Sequence, residues 1–368
     1  MIPYSKPSIT NFEHQYVYDA VVNGWGEDCF HYIDKFEKMF SQKVGSLFAA
    51  ATSSCTGALQ LGMHALGISK GDEVILADIN WIATVAPIIH CGAKPVFVDI
   101  SLESWCISKN KIERAITKNT KAIIVTHLYG NIAEIKEIVK IAEANDIYVI
   151  EDAAEALGSK IDGRQVGTFG NFGVFSFHGT KMITTGEGGM FVSNDPELFE
   201  KVCVLNNHGR STKEPRHFWP TDIGYKFKMS KIQAALGCAQ LQRLDSLIKR
   251  KREILNFYKN FFKDYENIQM NIEPNKTINS SWMPTLFIQR EKEIRNGLLE
   301  CLKNINIDAR PTFWPLTSTG LFDQKSNQNK NSYFWQARSI NLPSYHDITE
   351  ENQEMVCEAV KGYLDKTL

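Results

Sequence analysis

Seven short apolar runs alternate with longer amphipathic stretches over the first two-thirds of this 368-residue chain, and that alternation restricts its fold more than any other feature. Residues 47–51, 73–77, 95–99, 122–126, 148–150, 173–177 and 189–192 have the length and apolar character of strands. Residues 32–40, 57–66, 109–116, 132–144 and 197–204 read as helices between them. Strands that alternate with helices imply a mainly parallel sheet, because parallel neighbours need a crossover, and the helices then cover both faces. From Met229 the stretch MSKIQAALGCAQLQRLDSLIKRKREILNFYKNFF reads as one long helix, with Ile232, Ala235, Leu236, Ala239, Leu241 and Leu244 on its apolar face. The length suits two domains, and the division is placed near residue 247. Residues 1–247 form a large α/β domain with a mainly parallel mixed sheet, and residues 248–368 a smaller α+β domain. The turn-rich FDQKSNQNKNS within the second reads as a mobile loop.

Charge and cysteine usage narrow the function. The formal net charge is −1, so no global field recruits nucleic acid or a membrane surface. The opening MIPYSKPSIT has no apolar signal core. Residues 82–93, the longest near-apolar stretch, contain Thr84, Pro87 and His90 and fall short of the roughly 20 residues that span a bilayer. The eight cysteines are scattered, none in a Cys-x-x-Cys pair, which argues against a zinc ribbon or a disulfide framework. The nine histidines show no metal-ligand spacing. A cytoplasmic protein without a metal is expected.

Four features fall at strand ends or helix starts, where open α/β sheets bind ligands. Lys181 follows the run Phe175-Ser176-Phe177 and precedes a glycine-rich turn, so it is a candidate Schiff-base amine; an ordinary solvated lysine is the alternative. Ser176 could add a hydroxyl to a phosphate. The stretch is no nucleotide P-loop: five residues separate Gly173 from Gly179, and Thr180 precedes Lys181 instead of following it. Ser53, Ser54 and Thr56 with Gly57 open a helix, which makes either an anion cradle or a plain hydroxyl N-cap. Trp81 starts a helix after a strand and could stack on a heterocycle or sit in a core. Asp152 ends the strand 148–150 and could face a pyridine nitrogen; a capping box with Glu155 competes with that reading. His127 and His178 are pocket candidates for which packing or backbone bonding is the commoner role. An anion cradle, a stacking ring, an acid and an amine in one α/β domain are what pyridoxal phosphate needs.

The chain resembles the DegT/DnrJ/StrS family of sugar aminotransferases nearly end to end. The resemblance is carried by GDEVILADINWIATVAPI, GAKPVFVDI, HLYGN, VIEDAAEALGS, VGTFGNFGVFSFHGTKMITTGEGGM, IGYKFKMSKIQAALGCAQLQRL, ARPTFWPL and INLPSYHDIT. It implies the fold-type-I, aspartate-aminotransferase-like architecture and a pyridoxal 5′-phosphate cofactor that passes through the pyridoxamine form. Lys181 would be the Schiff-base lysine and Asp152 the partner of the pyridinium. Trp81 would stack on the ring. Ser54, Cys55, Thr56 and Ser176 would hold the phosphate, and Glu155 would lie near the ring hydroxyl. Three positions depart from the common pattern: an Asn-Gly-Thr turn reads Ser54-Cys55-Thr56 here, the Asn that reaches the partner subunit's phosphate is Lys226, and Glu155 stands where relatives often carry Gln or His. A homodimer with shared active sites is implied. His178, Arg310 and Trp314 are the candidate substrate contacts, a buried structural pair being the alternative for Arg310. The last three segments, with NGWGEDCFHYIDKFE, look most like the branch that moves an amino group from L-glutamate to C4 of GDP-4-keto-6-deoxymannose for O-antigen or other cell-surface glycans. Amination of a UDP- or dTDP-linked 3- or 4-ketosugar is the alternative. A pyridoxamine-dependent sugar dehydratase, which carries His at the lysine position, and a non-catalytic regulatory homologue are the readings from other classes.

Overall fold

The seven apolar runs form one seven-stranded sheet in the computed structural model, which describes residues 1–290, 293–324 and 328–367. In chain order, α1 (Asn11–Val22) and α2 (His31–Val44) precede β1 (Phe48–Thr52), α3 (Cys55–Ala65), β2 (Glu73–Ala77), α4 (Ile82–His90) and β3 (Lys94–Val98). Then come α5 (Lys109–Ala115), β4 (Thr120–Thr126), α6 (Ile135–Ala144) and β5 (Tyr148–Asp152). The short strands β6 (Lys160–Ile161) and β7 (Arg164–Gln165) lead to β8 (Phe172–Ser176), β9 (Gly189–Ser193), α7 (Pro196–Asn206), α8 (Lys231–Gln242) and α9 (Leu244–Phe262). The remainder supplies β10 (Ile268–Met270), β11 (Thr277–Ile278), β12 (Thr285–Ile288), α10 (Arg295–Asn304), β13 (Arg310–Pro311), α11 (Lys330–Gln336), β14 (Ser339–Asn341) and α12 (Glu350–Thr367).

The large sheet has the order β1-β9-β8-β5-β4-β2-β3, and within it only β9 runs against the others. Its strands are apolar on both sides because both faces are covered. Along β4, Ile123 and Val125 enter one core while Ala122 and Ile124 enter the core on the opposite face, the two-residue period of a pleated strand. A second, antiparallel sheet has the order β10-β12-β14-β13, and a third joins β11 to β6 and β7. The second sheet packs in its own core, where Leu286 and Ile288 meet Val356, Val360 and Leu364 of α12. Helix α9 passes between cores: Leu244 and Leu247 lie in the first, and Ile254, Leu255, Tyr258 and Phe262 in the last.

The structure corrects three expectations. The long helix from Met229 is two helices, α8 and α9, that meet at Arg243 (φ −93°, ψ −3°). No Gly or Pro marks the break. The Arg243 guanidinium instead reaches the N-terminal segment, donating to Glu13 Oε1 at 2.6 Å and to the Ser8 carbonyl at 3.0 Å. Helix α1, capped by a reciprocal Thr10–Glu13 box, was not among the expected elements. Of the stretch expected to be a mobile loop, residues 325–327 lie outside the described residues. Beside them the Gln324 carboxamide pairs with the backbone of edge strand β3, accepting from Phe97 N at 2.9 Å and donating to Phe97 O at 2.6 Å, and residues 330–336 form α11. No helix among the described residues is long and apolar enough to cross a membrane.

Candidate active site

The strand ends converge on one cavity of about 430 Å³, within the usual ligand-pocket range of roughly 300–1,000 Å³. Its lining comes from the residues after β1, β2 and β8, from the last residues of β4, β5 and β8, and from the turn before the reversed strand β9. Nine of the expected residues line it together: Ser54, Cys55, Thr56, Trp81, Asp152, Glu155, Ser176, His178 and Lys181.

The pleat of β5 sorts its two terminal acids. Glu151 is fully buried away from the cavity, where its carboxylate accepts from the backbone N–H groups of Gly167 (2.8 Å), Phe169 (2.5 Å) and Gly170 (2.7 Å). His127 belongs to that structural cluster. Its Nδ1 accepts from Ala133 N at 3.3 Å, so its Nε2 carries the proton given to Glu151 Oε2 at 3.0 Å, and it does not line the cavity. The next residue, Asp152, points the other way into the cavity and is 5% exposed. Its Oδ2 accepts from Thr84 Oγ1 at 2.7 Å and its Oδ1 from Ala154 N at 3.1 Å. No helix starts at Asp152, so the capping-box reading is overturned.

Glu155 turns toward Lys181 instead. Its Oε1 accepts from Lys181 Nζ at 3.1 Å and its Oε2 from Tyr129 N at 3.0 Å. Burial raises the Glu155 carboxyl above the ordinary carboxylate range even though the Lys181 amine works in the opposite direction. Lys181 stands in the loop between β8 and β9, its N–H bonded to the His178 carbonyl at 2.9 Å. Its amine also lies 4.1 Å from the centre of the Trp282 ring.

The start of α3 is an anion site by its donors. Ser54 is the N-cap, its Oγ accepting from Gly57 N at 3.0 Å, so the N-cap reading holds, and it leaves the neighbouring donors open to an anion. The N–H groups of Cys55 and Thr56 have no protein acceptor among the described residues and sit where the helix dipole favours negative charge. Close approach here depends on Gly189: a side chain there would come 2.4 Å from Cys55 N. The Cys55 thiol is pushed well up by burial, which leaves it neutral, and the backbone is what it offers. These donors fit a phosphate, and Asp152 and Lys181 fit the ring nitrogen and the aldehyde carbon of a pyridoxal group. That agreement is one of donor chemistry in this cavity.

Trp81 precedes α4, is 57% exposed, and has its ring 5.6 Å from the Phe313 ring. Besides His127, three expected residues lie outside the cavity. Arg310 is exposed and bidentate to Asp308, at 2.7 and 2.9 Å, with its guanidinium 5.7 Å from the ring centre of Tyr4, a lining residue. Trp314 is half-exposed, with the Arg295 guanidinium 4.3 Å from its ring centre. Lys226 is exposed in the segment that lies along the end of β1, where Ser53 N donates to Phe227 O at 2.5 Å. Sequence reasoning missed Thr84, Tyr4, Asn80, Trp282 and Phe313. Thr84 and Asn80 were legible as hydroxyl and amide neighbours of Trp81 at a strand end. Tyr4, Trp282 and Phe313 come from distant parts of the chain and carried no local signal.

Comparison with known proteins agrees with this geometry. The profile of the DegT/DnrJ/EryC1/StrS aminotransferase family matches residues 7–361. The chain is 39% identical over 369 residues to a GDP-perosamine synthase of Escherichia coli O157:H7, covering 99% of each chain. It is 36% identical over 370 residues to a GDP-perosamine synthase of Vibrio cholerae, covering 99% of this chain and 100% of that one. Among solved structures, a Streptococcus pneumoniae protein assigned as a sugar aminotransferase superposes in its PMP form with a TM-score of 0.94, at 26% identity and full coverage of both chains. Its PLP form gives a TM-score of 0.93 at the same identity, covering 100% of this chain and 99% of that one.

Proposed function

The chain belongs to the DegT/DnrJ/EryC1/StrS aminotransferase family, and from that premise we propose that it moves the amino group of L-glutamate to C4 of GDP-4-keto-6-deoxymannose, giving GDP-perosamine and 2-oxoglutarate. It is a pyridoxal-phosphate-dependent sugar aminotransferase with the fold-type-I architecture. The observation that carries the substrate is the near-complete alignment with two GDP-perosamine synthases, which extends through the small-domain segments as well as the cofactor motifs.

Pyridoxal phosphate, when bound, supplies a carbon that takes the amine and a ring that withdraws electrons from it. The protein's part is to hold and orient it and to move protons. The Cys55 and Thr56 N–H groups, with the Thr56 and Ser176 hydroxyls and Ser54 at the cap, hold the phosphate. Asp152, fixed by Thr84 and Ala154, keeps the ring nitrogen protonated. Trp81 would cover a ring face, and Glu155 would lie near the ring hydroxyl. Lys181 Nζ would be the amine that anchors the group, and when free it would be the base that takes and returns a proton at Nζ. The same residues run the sequence in reverse with the ketosugar, so the kinetics are ping-pong.

His178, which lines the cavity, contacts the sugar nucleotide together with Arg310 and Trp314. The active unit is a homodimer in which Lys226 reaches the partner's phosphate, and its exposure outside this chain's own cavity suits that role. The enzyme works in the cytoplasm and supplies an amino sugar for O-antigen or a related surface glycan. The test is to incubate the purified protein with L-glutamate and a panel of nucleotide ketosugars. GDP-perosamine and 2-oxoglutarate in equal amounts are expected. Rapid turnover of a UDP- or dTDP-linked ketosugar with none of the GDP-sugar overturns the substrate while leaving the family standing.

A further inference from the structure

Trp282 reaches Lys181 from the segment between β11 and β12, and the backbone there is built to bring it in. Ser281, just before it, has φ +59°, and Tyr129, whose ring stacks on the indole at 5.8 Å and 15°, has φ +54°. Both are left-handed conformations that side chains other than glycine seldom adopt, and they persist only where the surroundings over-determine them. The surroundings do. Asn279 Oδ1 accepts from Ser281 N at 2.7 Å, Asn279 Nδ2 donates to Asn131 Oδ1 at 2.8 Å, and Ser280 N donates to Ser159 Oγ at 3.0 Å. A side chain at Gly130 would come 2.4 Å from Asn279 Oδ1, so the two segments mesh without slack.

The indole so placed makes two contacts with the lysine loop. Its Nε1 donates to the Thr180 carbonyl at 2.8 Å, fixing the backbone one residue before Lys181. Its face lies 4.1 Å from Lys181 Nζ, while Glu155 Oε1 takes the same amine at 3.1 Å. Tryptophan joins an N–H donor to the aromatic face that attracts a cation most strongly. A lysine has four rotatable side-chain bonds, and an amine that wanders spends little time in a reactive position.

We propose that Trp282 is the positioning residue for Lys181, holding its loop through Thr180 and its amine against the indole face. This rests on the reading that Lys181 is the reacting amine. The test compares Trp282→Phe, which keeps a ring face but loses the N–H, with Trp282→Leu, which loses both. Each variant is assayed as holoenzyme, with rates expressed per bound cofactor. Trp282→Leu should slow both half-reactions by about 10- to 100-fold, and Trp282→Phe by on the order of 5-fold. KM for the amino donor and for the sugar nucleotide should stay within about 3-fold of the parent. The pH midpoint of the visible band of the bound cofactor should move by about half a unit or more in Trp282→Leu.

A purely structural Trp282 would lower Tm yet leave kcat per bound cofactor and the band midpoint at parental values, and that result overturns the proposal. Should Trp282→Leu be insoluble, Trp282→Phe decides alone through its rate and loop contact. The band midpoint needs no substrate. A parent that uses another sugar nucleotide or another amino donor therefore defeats the substrate assignment, while the shifted or unshifted midpoint still decides the role of Trp282.

Discussion

Lys251 on α9 should make stability rise with pH and should make its own replacement by methionine change sign. Its side chain is among the largest fully buried ones, and its amine donates only to the Ser344 carbonyl (2.6 Å) and hydroxyl (2.8 Å). No carboxylate lies within ion-pair reach of it among the described residues. Burial alone pushes its pKa from 10.5 down to about 7. Between those values the unfolded chain holds a proton that the folded chain has shed, so stability climbs with pH across about 7 to 10.5 by roughly 1.4 kcal/mol per unit. The ceiling over those 3.5 units is about 5 kcal/mol, of which some 4 kcal/mol is still lost at pH 7. Lys251→Met removes that penalty but leaves the Ser344 oxygens without their donor, which costs about 1–3 kcal/mol. The variant should therefore be more stable than the parent by about 2 kcal/mol at pH 7, equal to it near pH 9, and less stable by about 1–2 kcal/mol above pH 10. Urea midpoints for both proteins at several pH values give the difference, since His346, whose pKa burial and then Lys251 hold down at about 4, titrates below this window. A difference that stays constant from pH 7 to 10 refutes the argument, because Lys251 would then titrate alike in the folded and unfolded chains.

Three further outcomes are expected. Borohydride treatment of the yellow holoenzyme should fix the cofactor on the peptide containing Lys181, and Lys181→Ala should be inactive; label on another lysine contradicts the assignment. Thr84→Val removes a hydroxyl of nearly the same shape from Asp152 Oδ2 at 2.7 Å, and the loss of a charge-assisted hydrogen bond should cut kcat by about 10- to 100-fold with the fold intact by circular dichroism. Lys226→Ala should weaken cofactor retention, measured by dialysis and absorbance, more than it weakens the dimer seen by sedimentation; unchanged retention would make Lys226 a plain surface lysine.

What the sequence showed and what it hid have a common physical cause. The large sheet was legible because a strand buried on both faces must be largely apolar, and all seven runs are. The site's local parts were legible for a related reason: strand ends in such a sheet are where polar residues can meet a ligand, and Ser54, Trp81, Asp152, Ser176 and Lys181 all sit at them. The two acids at the end of β5 are neighbours in sequence. Their roles differ only because successive side chains leave a strand on opposite faces, so Glu151 meets the backbone of residues 167–170 while Asp152 meets the cavity. Contacts made across long separations left no such trace. The break at Arg243 follows from Glu13 and Ser8, more than 200 residues away, and a continuous apolar stripe could not announce it. Trp282 is the sharper case. As a tryptophan between two serines and a methionine it reads as core, and it is nearly buried. What separates it from a core residue is the strained backbone on which it and Tyr129 stand. That backbone is held by asparagine and serine side chains whose partners lie 120 to 150 residues away. Strain of that kind costs stability in the folded chain. A tryptophan needed only to fill space could be reached from a relaxed backbone, so the strained turn at Ser281 is better explained by where the indole must point, at Thr180 and Lys181.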